Sequence, residues 1–263
     1  MNSLPETMQS KSIKQGDVWQ LGVHRLICGS AANLNDVATL MNNERISLVL
    51  TDPPYGVGYV EGKQQFLKTI HRASKRIEGF SAIKGDELLQ DYYAFSKAWL
   101  EPMRAHFTPK NAVYIFNGDT KLREMLNAMQ DTGYYKSSLL IWVKNHIVVG
   151  RKDFHPQHEL IVYGWYGTHA YYGNKDKSVL CYPKPNKSKL HPTMKPPALL
   201  RRLMYHSSKP GDIVYDPFGG SGSTLIACEQ LGRVCRMIEL DENYCLTIVQ
   251  RWEKLTGKVA QKL

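Results

Sequence analysis

Short apolar runs of strand type alternate with stretches of helical spacing along nearly the whole chain, and that alternation limits the folds open to it more than any other feature. Residues 25–28, 46–51, 112–116, 138–143, 160–163, 213–215 and 234–238 predict strands. Helical spacing falls at 34–41, at 87–107 with Asp86 as cap and a kink at Pro102, and at 119–130 with Asp119 as cap. It recurs at 197–206 behind Pro196 and Pro197, at 223–231 and at 243–255. Strands and helices taking turns in this way imply a mostly parallel sheet covered on both faces, with ligands bound at the carboxyl ends of the strands. A length of 263 residues suits one such domain over 16–263 behind a flexible tail of 1–15.

Composition removes several classes. At 43% hydrophobic and 22% charged the chain is neither disordered nor of low complexity. Its apolar runs are too short to span a bilayer, and residues 1–16 hold no apolar core of a signal peptide, so a cytoplasmic protein is expected. Cys28, Cys181, Cys228, Cys235 and Cys245 are odd in number and lack Cys-x-x-Cys spacing, which predicts buried reduced thiols. His155 and His158 have no second ligand pair, so no metal site is expected.

The net charge of +10 is concentrated. Residues 61–84 carry Lys63, Lys68, Arg72, Lys75, Arg76 and Lys84 against two acids, and 175–202 carry eight basic residues against Asp176 alone, leaving the rest about neutral. Glycine, proline and asparagine interrupt both stretches, so they read as loops. Basic loops on a neutral body suit a polyanion, with lysine and arginine displacing counterions from phosphates. A solvated basic surface that serves solubility is the plainer alternative.

Three constellations sit at predicted strand ends. Thr51-Asp52-Pro53-Pro54-Tyr55-Gly56 follows the second strand. Two prolines would stop any strand, but here they also fix a carboxylate and an aromatic ring in one stiff turn. Asp52 and the Pro53 carbonyl become acceptors and Tyr55 a stacking plane, which suits a flat ligand bearing an amino group. Next, Tyr215-Asp216-Pro217-Phe218-Gly219-Gly220-Ser221-Gly222-Ser223-Thr224 forms a strand, a glycine-rich turn and a helix start. A dinucleotide fingerprint fails there because position 225 is Leu225, and a phosphate-binding P-loop fails for want of a lysine. Glu239 ends the following strand, where an acid commonly takes ribose hydroxyls. A nucleoside cofactor other than NAD or ATP remains. Third, His191-Pro192-Thr193-Met194-Lys195-Pro196 is a loop from which Thr193 and Lys195 would reach a cofactor carboxylate.

Together these segments resemble the amino-group DNA methyltransferases that use S-adenosylmethionine, in the permuted order with Asp-Pro-Pro-Tyr before Phe-x-Gly-x-Gly. Trp142-Val143-Lys144 and His158-Glu159 look like that family's later strand motifs. The resemblance implies an α/β, Rossmann-like methyltransferase fold: a seven-stranded, mostly parallel sheet, helices on both faces, and a hairpin from 138–143 and 160–163. It implies catalysis by Asp52, Pro53, Pro54 and Tyr55. Cofactor binding would fall to Gly29, Ser30, Asp216, Phe218, Gly220, Gly222, Ser223, Thr224, Glu239, His191, Thr193 and Lys195. Many relatives carry an acid after the glycine, where this chain has Ser30, whose hydroxyl would instead bond the adenine of the cofactor.

The implied reaction is methyl transfer to adenine N6 of a base flipped out of double-stranded DNA, since cytosine-N4 relatives more often begin the catalytic motif with serine. Cytosine N4, or a non-catalytic nucleic-acid binder of this fold, are the alternatives. A cytosine-C5 route needs Pro-Cys, which no cysteine here provides. A substrate loop over 57–85 and a recognition insert over 165–190 would meet DNA, the latter through Lys175, Lys177, Lys184, Lys187 and Lys189. The resemblance admits a second copy of the chain and a separately acting restriction endonuclease as further partners, with a solitary enzyme as the alternative to the latter.

Overall fold

A computed structural model describes residues 11–55, 91–147, 153–184 and 195–263. The predicted helix cap Asp86, the loop over 57–85 and the first ten residues lie outside the described ones. From Lys11 the chain is already packed: Ile13 is buried in the core and Lys11 pairs with Glu253, so the expected tail does not extend to residue 15.

One sheet organises the molecule. Its central strands are β2 (His24–Cys28), β3 (Ile46–Thr51), β4 (Phe107–Asn117), β5 (Tyr134–Val143), β6 (His158–Tyr166), β9 (Ile213–Asp216) and β10 (Val234–Glu239). They lie in the order β2-β10-β9-β3-β4-β6-β5, and β6 alone runs against its neighbours. These are the seven expected strands, including the hairpin. Four short strands were not legible in the sequence: β1 (Val18–Leu21) and β11 (Gln261–Lys262) extend one edge, β8 (Val179–Cys181) extends the other, and β7 (Thr168–His169) pairs with the start of β4. Each is four residues or fewer, too brief for a period to show.

Alternation along the strands sends side chains to both faces. Ala112, Tyr114 and Phe116 of β4 join one core cluster, and Val113 and Ile115 join the other. The first is covered by α4 (Pro197–Ser207), α5 (Ser223–Leu231) and α6 (Glu242–Thr256) through Leu203, Leu225 and Trp252. The second is covered by α1 (Leu34–Met41), α2 (Tyr92–Leu100) and α3 (Leu122–Asp131) through Leu40, Trp99 and Met125.

Two helix boundaries differ from expectation. Asp91 caps α2 by accepting from Ala94 N, and the helix ends at Leu100; Pro102, which cannot donate to the ladder, opens a separate 3-10 turn over Pro102–His106. Asp119 does not cap α3: it begins a 3-10 turn, and α3 starts three residues later. Of the cysteines all are free and four are buried, but Cys181, on the edge strand β8, is exposed.

Candidate active site

Strand pairing brings the two principal segments side by side: β3 and β9 are parallel neighbours, with Leu48 opposite Val214 and Val49 opposite Tyr215. Their carboxyl ends are joined by Thr51 Oγ1 donating to Asp216 Oδ1 at 2.8 Å. Beyond Thr51 the chain turns through half-buried Asp52, buried Pro53 and half-buried Pro54 and Tyr55. The Tyr55 hydroxyl donates to Asp52 Oδ1 at 2.7 Å, fixing the carboxylate against the ring.

Beside this turn, the ends of β9, β10 and β2 form a second cluster. Gly29 N donates to the Glu239 carbonyl at 2.9 Å, and Gly220 N to Glu239 Oε2 at 2.7 Å, so Gly29, Ser30, Glu239 and the glycine-rich turn adjoin. Gly222 sits at φ +79°, where a side chain would be strained, and a Cβ there would lie 3.0 Å from Ile248. A Cβ on Gly29 would lie 2.5 Å from Asp36 Oδ2, which accepts from Ser30 N at 2.8 Å. Ser30 Oγ accepts from Ala32 N at 3.3 Å, so the hydroxyl is engaged in its own turn, and the acid at this corner is Asp36, reached from α1. Spacing gave no signal for Asp36.

Several predicted cofactor residues shape the turn from behind. Asp216 is buried, accepts from Thr51 and from Phe218 N at 3.1 Å, and is raised by burial to about 7. Thr224 is also buried and bonds Asp216. The Phe218 ring packs edge-on against Trp99 at 5.3 Å and tilted against Phe95 at 5.9 Å, tying the turn to α2. Burial likewise lifts the Glu239 carboxyl to about 7, an environment that hydroxyl donors would relieve. Ser223 Oγ, at the first residue of α5, is buried without a hydrogen-bond partner. A nucleoside with an amino-acid tail fits this donor set: Glu239 for ribose hydroxyls, Ser223 and the helix start for a carboxylate.

Lys195 is placed elsewhere than expected. Its ammonium donates to Asp52 Oδ2 and lies 3.1 Å from Glu159 Oε2, whose other oxygen is 2.7 Å from Lys144 Nζ. His191 and Thr193 lie outside the described residues. Burial raises the Glu159 carboxyl, but the two ammoniums outweigh it and hold it at about 2. Asp52 is raised by burial against the pull of Lys195. The role of Glu159 emerges only from the β5–β6 register, which sets Val143 opposite His158. Asn117, the last residue of β4, carries no signal in the sequence: it is fully buried with neither amide atom hydrogen-bonded, and its neighbour Gly118 abuts the Tyr55 ring.

The basic candidates divide. Lys63, Lys68, Arg72, Lys75, Arg76, Lys84, Lys187 and Lys189 lie outside the described residues. Lys175 and Lys177 are exposed, but they precede β8, which runs parallel to β5, and so stand at the end of the sheet away from Asp52. Asp176 between them is bound there by Arg202 and by His206 Nε2 at 2.8 Å, near the end of α4. Lys184, following β8, is at the same end of the sheet as Asp52, where its N–H donates to Asn145 Oδ1 at 3.0 Å. Among the described residues no group of three His, Cys, Asp or Glu could hold a metal ion, and no helix is long and apolar enough to cross a membrane.

An acceptor-rich turn and a glycine-rich turn thus stand at the adjacent carboxyl ends of two parallel strands. The family model described as DNA methylase, of the N6/N4 methyltransferases, matches residues 46–250, and the chain belongs to that family. It is 26% identical to the type II methyltransferase M.HpaI of Haemophilus parainfluenzae, over 84% of this chain and 71% of that one. It is also 26% identical to M.HinfI of Haemophilus influenzae, over 77% of this chain and 61% of that relative. Among solved structures, the M1.HpyAVI–SAM complex aligns with a TM-score of 0.59 and 21% identity, covering 84% of this chain and 97% of that one. The PvuII DNA methyltransferase (cytosine-N4-specific) aligns with a TM-score of 0.64 and 14% identity, covering 94% of each.

Proposed function

We propose that this protein transfers a methyl group from S-adenosylmethionine to the N6 amino group of adenine in double-stranded DNA. The observation that carries the reading is the Asp52 carboxylate, fixed by Tyr55 at the end of β3 and joined through Thr51 to the glycine-rich turn. When bound, S-adenosylmethionine supplies a methyl group already activated on a sulfonium. Glu239, Ser223, the Gly220–Gly222 backbone and the Gly29–Ser30 corner would hold it. An exocyclic amino lone pair is delocalised into the base ring. Asp52 and the Pro53 carbonyl, accepting its two N–H hydrogens, favour a pyramidal nitrogen with the lone pair free. Catalysis then rests on positioning and on stabilising positive charge at that nitrogen. Tyr55 stacks on the base once it has left the duplex.

The acid at position 52 supports adenine. Cytosine N4 is the second reading, and the likeness to a cytosine-N4-specific enzyme across nearly the whole fold keeps it in play. Incubating the protein with unmethylated plasmid DNA and labelled S-adenosylmethionine, then separating the nucleosides by mass spectrometry, decides the matter. N6-methyladenine is expected; N4-methylcytosine would transfer the mechanism to the other acceptor, and no labelled base would sink it.

A further inference from the structure

Four charges run in a line from the hairpin to the catalytic turn. Lys144, at the end of β5, pairs with Glu159 at 2.7 Å; Glu159 on β6 holds Lys195 at 3.1 Å; Lys195 donates to Asp52. Lys144 is only 5% exposed and Lys195 only 6%. Burying an ion costs several kcal/mol unless its partners repay it, and apolar side chains of similar size often serve stability better. Here apolar company is at hand: the Phe116 ring lies 5.1 Å from the Lys195 ammonium, and Trp142 lies 5.3 Å from that of Lys144. Packing therefore gives no reason for the charges.

The Asp52 carboxylate supplies one. Its two oxygens offer about four lone-pair sites. Oδ1 takes the Tyr55 hydroxyl and Oδ2 the Lys195 ammonium, so the plane of the group is fixed and a lone pair remains free on each oxygen. We propose that Lys195 is a positioning residue for the methyl transfer, anchored by Glu159 so that it keeps Asp52 ionised and turned toward the incoming amino group. Glu159 completes the device. With two ammoniums against two carboxylates the cluster is neutral, and Asp52 keeps negative charge to offer a nitrogen that becomes positive. This role rests on the methyl-transfer reading and adds to it residues that do not touch the base.

Among the described residues, the groups facing Asp52 are Lys195 ahead of α4, Glu159 on β6 with Lys144 behind it, Tyr55 in its own turn, Asp216 at the end of β9, and Tyr92 of α2 beside Tyr55. Burial and Glu159 push its carboxyl up, and Lys195 and Tyr55 pull it down. Transfer needs the carboxylate, so activity fades as pH falls through the Asp52 transition. Removing the ammonium moves that fade to higher pH; removing Glu159 moves it lower.

Single-turnover methylation of plasmid DNA, followed from weakly acidic to alkaline pH, tests the role in Lys195→Met, Lys195→Arg and Glu159→Gln. Calorimetry of S-adenosylmethionine binding reports whether the neighbouring site stays intact. Lys195→Met is expected to lose at least about tenfold more rate at the acid end than at the alkaline end, the size that a tenfold change in Asp52 acidity produces. Lys195→Arg should keep the wild-type profile shape. Glu159→Gln should be slower throughout, with its acid limb moved lower. An equal fractional loss at every pH in Lys195→Met overturns the proposal, as does a raised acid limb in Glu159→Gln. Should Lys195→Met fail to bind the cofactor, the Glu159→Gln profile alone carries the decision. Wild-type protein that transfers no label at any pH overturns the methyl-transfer reading and this role with it, whereas variant-only results touch the positioning alone.

Discussion

Asp52 and Asp216 are linked through Thr51, yet their surroundings assign them opposite duties. Asp52 is half-buried at the end of β3; on the proposed reading it receives the amino group, so Asp52→Ala should abolish methyl transfer while leaving S-adenosylmethionine binding within about threefold by calorimetry, a loss confined to the transition state. Normal turnover by that variant would refute the catalytic assignment. Asp216 is buried, and burial lifts its carboxyl from an ordinary value of 3.8 to about 7. A carboxyl raised in this way favours the protonated folded form. Its contribution is fully present below 3.8 and is lost as pH rises to about 7. Asp216→Asn keeps the Oδ1 acceptor for Thr51 and Phe218 N and cannot ionise. Its melting temperature should therefore exceed the wild type's in mildly alkaline buffer, by the equivalent of about 1–3 kcal/mol, and the gain should shrink on acidification. A constant difference at all pH would show that the charge is not the cause. Asp52 was legible in the sequence because two prolines lock it at a strand end. The inward turn of Asp216 was not, since a motif gives the residue but not the direction of its side chain.

At the scale of elements, strand pairing decides what each motif can reach. The β5–β6 hairpin was readable from its two apolar runs, but only its register delivers Glu159 to Lys195. The predicted recognition insert divides along the same lines. It leaves β6 at the end of the sheet remote from Asp52, pairs Thr168 and His169 with the start of β4, and returns along β8. On the way Asp176 binds Arg202 and His206, and the Tyr171 ring stacks on His206 at 5.2 Å and 3°. In this stretch Asp176 and Tyr171 are thus attached to α4, while Lys175 and Lys177 on either side of Asp176 stay exposed. Asp176→Ala should cost less than about 1 kcal/mol of stability, because the pair is partly solvated. It should instead quicken limited proteolysis within residues 173–178 and leave the methylation rate unchanged. A marked fall in rate would show that the segment works at the site after all.

For the molecule as a whole, the chain order of the motifs matters less than the edge on which they emerge. The Asp52–Tyr55 turn precedes the glycine-rich turn in sequence by some 160 residues, yet parallel β3 and β9 set them side by side. Strand–helix alternation predicts such an edge from the sequence alone. Charge does not, because a run of lysines names no end of the sheet. Of the described candidates, Lys184 emerges on the edge that carries Asp52, while Lys175 and Lys177 emerge at the opposite one. This division can be read from the salt dependence of DNA binding, in which each phosphate contact contributes about 0.9 to the slope of log affinity against log salt concentration. Lys184→Gln should lower the magnitude of that slope by about that amount and weaken binding alike on all sequences. The double variant Lys175→Gln, Lys177→Gln should leave the slope where it was. The opposite pattern, a slope reduced by the double variant and untouched by Lys184→Gln, would place the duplex on the far end of the sheet, and the base could not then enter beside Asp52 from the strand that those lysines hold.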